Sequence, residues 1–341
     1  MIVTGCGALN LDIIYEIDNL ERIRQAGFPL EPGRECTLSH QRAQELLELL
    51  EKTATLMGKS GGGSAANTLC ALAKMGHRSY FIGTVGDDPE GDFLLDSMKD
   101  VDCSLVSQCG RSSICIIVID GLSNDRAMAV VPGTLKIDFD NPKMETVLKN
   151  TRLFHMSSLV QQEGPSLQGR VLELCTKGCL VTFDPGEIYA QKGFEAIKGL
   201  LAQTALLFAS DVEFQTIFQG KSIMEVLTKK FFGKRIHPKH LISYKFFKDM
   251  PPPVIAKKAG AEGALLASTN LIFKCPAQKV EKIVDNTGAG DAFNAGLIDA
   301  IFKNKDPKTA LEEAVSTAAF SLMFTGRQWI DHLDGFAILP P

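Results

Sequence analysis

The residues whose types and spacing best suit chemistry lie in one stretch, DNTGAGDAF at residues 285–293. A β-branched run at 280–284 precedes it, and Phe293, Leu297 and Ile301 follow at intervals of four residues. This pattern predicts a short strand that turns into a helix, with two glycines at the turn. The N–H groups that begin this helix are then free to bind a ligand.

The two glycines of this turn favour an anion as that ligand. Gly288 and Gly290 allow positive φ and close approach of a ligand to bare backbone, so the N–H groups around Ala289 can converge on a phosphate. Asp291 follows in the first turn of the helix. A carboxylate at this place is better suited to accept a proton than to bind the negatively charged phosphate. Asp291 is therefore a candidate general base that takes the proton of an attacking hydroxyl. Helix capping is the alternative role, and the spacing leaves both open.

Composition narrows the function classes. The chain has 341 residues, of which 45% are apolar, enough for a large core in one domain or in one domain with a small appendage. The net charge of −4 comes from 36 basic and 40 acidic residues, so no broad basic field favours nucleic acid or an anionic membrane. Nine cysteines, none in a C-x-x-C pair, predict buried thiols rather than metal ligands or disulfides. Small-molecule chemistry fits this composition best.

The chain begins without the basic segment of a signal peptide, and no apolar run approaches the ~18 residues that suggest a membrane span. We therefore expect a cytoplasmic protein. A P-loop kinase is excluded by residue type: GKS occurs at 58–60 and at 220–222, but Thr53 and Gln215 stand where the leading glycine of that motif belongs. A Rossmann-type dehydrogenase is another alternative, but only the glycine-rich turns support it.

The elements that must position these residues follow from periodicity. Between residues 142 and 208 helices and strands alternate, which predicts βαβ units and a parallel sheet with helices on both faces. Asp184 follows one of these strands, at the edge of the sheet where ligands bind. The β-rich runs at 115–120 and 127–131 read as a hairpin outside that sheet, and Arg126 at its tip is expected to be solvated rather than to reach a substrate.

Two further segments are less specific. The apolar spacing within residues 38–57 predicts a helical insertion that covers the site, mediates a subunit contact or decorates the surface. Residues 231–253 combine basic, aromatic and proline residues without periodicity, and we interpret them as surface structure. The run at 2–17 reads as a strand broken by Gly5 and Gly7, with Asn10 and Asp12 on one face.

The DNTGAGDAF stretch resembles the C-terminal signature of the ribokinase-like (PfkB) carbohydrate kinases, and GGGSAAN at 61–67 resembles the substrate-side motif of the same family. A glycine-rich turn before a helix is a weak signal by itself, and Asn67 stands where a dinucleotide motif needs glycine or alanine. The resemblance implies one α/β domain over residues 1–341, a three-layer α/β/α fold with a mostly parallel central sheet. A small β-lid formed by segments near 12–38 and 111–131 would cover the sugar.

The resemblance also implies roles for individual residues. Asp291 would be the catalytic base, beside an anion hole formed by Gly288, Ala289 and Gly290. The residues that would bind acceptor hydroxyls are Asp12, Asn10, Gly62, Gly63 and Asn67. For Asp12, a hydrogen bond to a local turn is the alternative.

On the nucleotide side, the resemblance places Lys258, Gly260 and Gly263 beside ATP. Lys258 stands where the family commonly has a small hydroxyl residue, so either it contacts a phosphate or it is a solvated lysine at a strand end. Glu213 matches an acid linked to Mg²⁺ through water, although Ser210 replaces the asparagine that usually precedes it. A monovalent cation such as K⁺ would lie at Asp285 and Thr287.

These expectations give one leading function, an ATP-dependent phosphotransferase that phosphorylates a sugar hydroxyl. A nucleoside kinase of the same family is the alternative substrate class. A protein that binds sugar or nucleotide on this fold without turnover is the non-enzymatic alternative. The expected partners are a small-molecule substrate and a second copy of the chain, in a homodimer formed through the β-lid.

Overall fold

The computed structural model describes residues 1–123, 125–229, 231–233 and 244–335. Residue 124 of the predicted hairpin and residues 234–243 of the segment interpreted as surface structure lie outside these ranges. No helix in the described ranges is both long and apolar enough to cross a membrane.

The strands are, in chain order, β1 (Ile2–Cys6), β2 (Asn10–Ile17), β3 (Glu35–Thr37), β4 (Thr55–Gly62), β5 (Arg78–Val85), β6 (Val101–Gln108), β7 (Ser113–Asp120), β8 (Arg126–Val131), β9 (Leu153–Ser157), β10 (Leu180–Asp184), β11 (Leu206–Ser210), β12 (Val254–Lys258), β13 (Ala264–Ala267) and β14 (Ile272–Cys275).

The helices are α1 (Glu21–Gln25), α2 (His40–Thr53), α3 (Ser64–Lys74), α4 (Pro89–Ser97), α5 (Met144–Asn150), α6 (Gly164–Leu174), α7 (Gly186–Lys192), α8 (Phe194–Leu201), α9 (Asp211–Phe218), α10 (Ile223–Thr228), α11 (Lys245–Asp249), α12 (Ala289–Phe302) and α13 (Pro307–Ser321). Short 3₁₀ segments span Gly260–Glu262 and Gln328–Gly335.

The larger sheet has the strand order β14-β13-β12-β11-β10-β9-β1-β5-β6. Its strands pair in parallel from β6 to β12, and β13 and β14 add an antiparallel edge. Alternate side chains of each strand enter different cores: in β11, Leu206 and Phe208 face one layer, and Leu207 and Ala209 face the other. Helices cover both faces, so the predicted three-layer α/β/α fold with a mostly parallel sheet is confirmed.

A second sheet has the order β3-β8-β7-β2-β4 and includes the segments predicted to form the lid, so it is called the lid sheet, or lid, below. Its outer face is apolar and is covered by α2, whose Leu46 and Leu50 are fully buried in one cluster with apolar residues of β2, β7 and β8. Its inner face carries Ile14, Cys115 and Ile117 and packs toward the loop after β9. The helical insertion therefore stabilises the back of the lid, on the side away from the inner face.

Several predicted elements differ from the structure. The run 2–17 is interrupted at residues 7–9, and its two parts lie in different sheets: β1 in the main sheet and β2 in the second sheet. Helix α2 ends at Thr53, and the following residues form β4, the lid strand that leads into residues 61–67. No strand forms at 280–284, because the N–H of Val284 bonds to the carbonyl of Leu322 at the end of α13 rather than to a neighbouring strand. A β-branched run becomes a strand only where such a neighbour exists.

Burial also corrects the interpretation of residues 231–253. Phe246 and Phe247 of α11 are buried in the main core, so the described part of this segment is not only surface structure. All nine cysteines are free, and each is buried or half-buried, in agreement with the predicted thiols.

We predict that Leu46→Ala lowers the free energy of unfolding by about 2–5 kcal/mol, because truncation of this fully buried side chain leaves a cavity between α2 and the lid sheet. Urea denaturation measures the loss. Glu48→Ala on the exposed face of the same helix is the control and should stay within about 0.5 kcal/mol. Equal stability of the two variants would contradict the role of α2 as the back layer of the lid.

Candidate active site

The glycine turn opens helix α12. Gly288 is the N-cap residue and has φ of 79°, in the left-handed region, whereas Gly290 lies inside the helix without a positive φ. The helical bonds begin with Ala292, whose N–H donates to the carbonyl of Gly288 at 2.9 Å. The N–H groups of Gly290 and Asp291 have no acceptor among the described residues. Two donors are thus left at the positive end of the helix dipole.

The Asp291 side chain does not cap this helix. Its Oδ2 accepts a hydrogen bond from Nδ2 of Asn67 at 2.8 Å, and its backbone carbonyl lies 3.4 Å from the hydroxyl of Thr68. Burial raises the pKa of Asp291 to about 6, against the opposing effect of hydrogen bonds from Ser64 and Asn67. The N-terminus of α3 and the N-terminus of α12 therefore meet at one carboxylate.

The predicted acceptor-binding residues come together beside Asp291. Strands β2 and β4 pair so that Asn10 faces Gly62. A Cβ atom on Gly62 would lie 2.1 Å from Oδ2 of Asp12, so only glycine leaves room for that carboxylate. Gly63 is the N-cap of α3 and lies four residues before Asn67. The side-chain oxygens of Asn10 and Asn67 are buried and lack a hydrogen-bond partner in the described part of the chain. Such groups usually bind a ligand or water.

Asp12 experiences several charges in this site. Burial raises the pKa of Asp12 to about 8, Arg327 opposes the rise, and the carboxylates of Asp291 and Glu35 add to it. Arg327 lies in the turn just before the 3₁₀ segment Gln328–Gly335 and donates to the Ser97 carbonyl. Sequence reasoning identified neither Glu35 nor Arg327, since neither residue belongs to a motif.

On the other side of the turn, Lys258 forms an ion pair with Asp184 at 2.6 Å. The same Asp184 oxygen accepts a hydrogen bond from Asn294 of α12 at 2.6 Å. The Lys258 side chain is only 18% exposed, and a Cβ on Gly290 would lie 3.3 Å from its Nζ. Burial lowers the pKa of Lys258, but the carboxylates of Asp184 and Glu213 outweigh burial and raise it. Lys258 thus lies against the anion turn, and the alternative of a solvated lysine is wrong.

Glu213 and Ser210 form a capping box at the start of α9, in which Glu213 Oε2 accepts the Ser210 N–H at 2.6 Å. Burial raises the pKa of Glu213, and Lys258 opposes this rise. No group of three or more acidic, histidine or cysteine side chains in the described ranges is arranged to hold a metal ion. One or two carboxylates near a phosphate site, here Glu213 and Asp184, still suit Mg²⁺, which binds mainly to phosphates and water.

The remaining predicted residues have visible structural contacts. Gly260 opens a 3₁₀ turn after β12, and Gly263 packs so closely on β14 that a Cβ would lie 2.1 Å from the carbonyl of Cys275. The carboxylate of Asp285 accepts the Thr287 N–H at 2.8 Å through one oxygen and the Gly326 N–H at 2.7 Å through the other. Their expected contacts with ATP and with a monovalent cation stay predictions.

The lid is attached to the main sheet domain at two points. Arg126 of β8 donates a hydrogen bond to Asn286, in the loop before the anion turn, so the expected solvated arginine is wrong. Glu187 of α7 pairs with Arg34 at 2.5 Å and accepts the Glu35 N–H at 2.9 Å. These contacts, between residues more than 150 positions apart, have no signal in the sequence.

A profile of the pfkB family of carbohydrate kinases matches residues 41–328. The chain belongs to the pfkB family of carbohydrate kinases. Over 331 residues it is 25% identical to an ATP-dependent ribose-1-phosphate kinase of Halopiger xanaduensis, covering 94% of this chain and 91% of that protein. It is also 25% identical over 279 residues to a nucleoside kinase of Methanothermobacter thermautotrophicus, covering 78% of this chain and 80% of that protein.

The fold agrees with this family. The structure superposes on the crystal structure of adenosine kinase from Anopheles gambiae with a TM-score of 0.78 and 17% identity, covering 96% of this chain and 97% of that chain. As a pfkB kinase, the protein is an ATP-dependent phosphotransferase that phosphorylates a hydroxyl group of a sugar or a nucleoside.

We predict that Lys258→Met destabilises the protein by about 3 kcal/mol, since it leaves the buried Asp184 carboxylate without its counter-ion. The double variant Lys258→Met/Asp184→Asn removes that charge and should recover most of the loss. Thermal and urea unfolding measure both, with the exposed Lys248→Met as control. A stable single variant would contradict the ion pair.

Proposed function

We propose that this kinase activates its acceptor hydroxyl through Asp291, with the Gly288–Ala289–Gly290 turn stabilising the phosphoryl group in transfer. The supporting observation is the 2.8 Å hydrogen bond between Asn67 and Asp291. It links residues 61–67, the acceptor loop, to residues 288–290, the anion turn. A base and an anion site must lie this close for a hydroxyl to attack a bound phosphate.

The acceptor binds between the lid and the main sheet. Asp12, on the inner face of β2, accepts hydrogen bonds from acceptor hydroxyls, and Asn10 and Asn67 supply the buried oxygens that lack partners in the described structure. Gly62 and Gly63 let the acceptor approach the backbone where β4 turns into α3. Asp291 then removes the proton of the attacking hydroxyl, a step favoured by a pKa near the working pH.

The phosphates of ATP lie beyond the turn. The free N–H groups of Gly290 and Asp291 donate to the transferring group, and Lys258, beside Gly290, adds positive charge. Gly260 and Gly263 form the turn along which the nucleotide lies. Glu213 and Asp184 would hold Mg²⁺ through water, and Mg²⁺ supplies neutralisation of phosphate charge when it is bound. A monovalent cation at Asp285 and Thr287 would support the loop before the turn.

Sugar and nucleoside acceptors both fit this chemistry, because each presents hydroxyls to Asp12 and one hydroxyl to Asp291. A binding protein without turnover is the weaker candidate. The buried Asp291 carboxylate costs stability, and only an enzyme uses its raised pKa. ADP release in a coupled assay with a panel of sugars and nucleosides distinguishes these functions.

We predict that Asp291→Asn lowers kcat by at least about 100-fold while ATP binding and the melting temperature are retained, because the amide keeps the shape of the carboxylate but cannot accept the proton. Steady-state kinetics, ATP titration and thermal unfolding measure the three quantities. Asp87→Asn, an exposed aspartate in the turn before α4, is the control. Turnover that survives in Asp291→Asn would refute the base.

The pH profile of the unaltered enzyme gives a second test of the same base. Asp291 is active only when it is deprotonated, and its pKa is about 6, so kcat/KM should fall as the pH decreases through 6. A profile that stays flat from pH 5 to 8 would be inconsistent with this assignment.

We also propose that two chains associate through the lid. Strand β4 is an edge of the lid sheet and carries Leu56 and Met57, each 52% exposed. An unpaired edge with exposed apolar side chains favours pairing with a second chain.

We predict that sedimentation of the unaltered protein shows a dimer and that Leu56→Glu/Met57→Lys shifts it to a monomer, whereas Glu48→Lys on α2 does not. A monomeric unaltered protein would refute the proposal.

A further inference from the structure

The inner face of the lid carries more than the acceptor residue identified from the motif. Strand register places Glu35 opposite Met128, Met128 opposite Ile117, and Ile117 opposite Ile14. Side chains of paired residues lie on the same face of a sheet, and Ile14 belongs to the inner face with Asp12 two residues away. Glu35 therefore points toward the acceptor site from the opposite end of an apolar floor.

The electrostatic environment of Glu35 agrees with this position. Burial raises the pKa of Glu35 to about 7, and the carboxylates of Glu187, Glu213 and Asp291 add to the rise, whereas Arg126 opposes it. Glu35 in turn raises the pKa of Asp12. These shifts require the Glu35 carboxylate to lie within electrostatic range of both the acceptor residue and the base.

Glu35 is also held rigidly. Its N–H donates to Glu187 at 2.9 Å, and its carbonyl accepts a hydrogen bond from Gln191 at 3.1 Å. Both partners belong to α7 of the main sheet domain, so this end of the lid is fixed relative to the site. The carboxylate itself has no hydrogen-bond or ion-pair partner among the described residues, although it is half-buried. A fixed acceptor group with unused lone pairs suits a ligand.

We propose that Glu35 is a further acceptor-binding residue, which accepts an O–H or N–H from the end of the acceptor away from Asp291. This inference deepens the proposed function and rests on it. Two carboxylates at the ends of an apolar floor complement a molecule with hydrogen-bond donors at both ends, such as a free sugar or a nucleoside.

The test compares adenosine, ribose, fructose and ribose 1-phosphate as acceptors in the coupled assay with ATP and Mg²⁺. The acceptor with the highest kcat/KM serves as the reference. Glu35→Gln should raise the KM for that acceptor about 10- to 100-fold, the loss expected for a hydrogen bond to a charged group, and should change kcat by less than about threefold.

Glu48→Gln on the outer side of the lid is the matched control and should leave both parameters unchanged. Glu35→Asp, which keeps the charge but withdraws it, should give an intermediate KM. Thermal unfolding checks the fold: loss of a carboxylate with a raised pKa should leave the melting temperature of Glu35→Gln unchanged or higher.

One result would overturn the inference while the proposed function stands: an unaltered KM in a folded Glu35→Gln variant. An unaltered enzyme that neither transfers phosphate to any of the four acceptors nor is stabilised by them against heat would instead refute the proposed function, and the inference would fall with it.

Discussion

The hydrogen bond between Asn67 and Asp291 is the interaction on which the site depends. It joins residues 224 positions apart, and each of them lies in the first turn of a helix that begins after a glycine. Helices α3 and α12 pack directly against each other behind this bond. The acceptor loop and the anion turn are therefore held in one geometry before any substrate arrives, which removes part of the entropic cost of the reaction.

A concentration of buried charge accompanies this arrangement. Burial and mutual repulsion raise the pKa values of Asp12, Glu35 and Asp291, and each raised pKa means that the folded protein holds an ionised carboxylate at a cost. The neighbouring Asp184 avoids this cost because Lys258 and Asn294 both bind it. The carboxylates without an ion pair are the ones that we propose to face the acceptor, which is the usual relation between stability and activity in a binding site.

The lid positions its residues because it is a layered element rather than a bare sheet. Helix α2 covers the outer face, so the inner face is free to carry polar and apolar residues chosen for a ligand. Contacts of Arg126 with Asn286 and of Arg34 with Glu187 attach the lid near the anion turn and at α7. A charged side chain of the lid therefore keeps a fixed position relative to the anion turn and to α7.

Sequence reasoning reached the fold class, the glycine turn, Asp291 and the acceptor loop, because these features are local: periodicity, turn residues and short motifs all operate within a few positions. It was wrong about a strand at 280–284 and about the solvation of Arg126, and it left the role of Lys258 open. In each case a partner distant in sequence decided the outcome.

The sequence by itself thus determined which residues could do chemistry and which elements they begin or end. Only the tertiary structure decided that Lys258 pairs with Asp184, that β4 joins the lid sheet and that Glu35 lies on the same face of that sheet as Asp12. The physical reason is that charge pairing, strand register and burial depend on distances between segments, and a linear pattern contains no such distances.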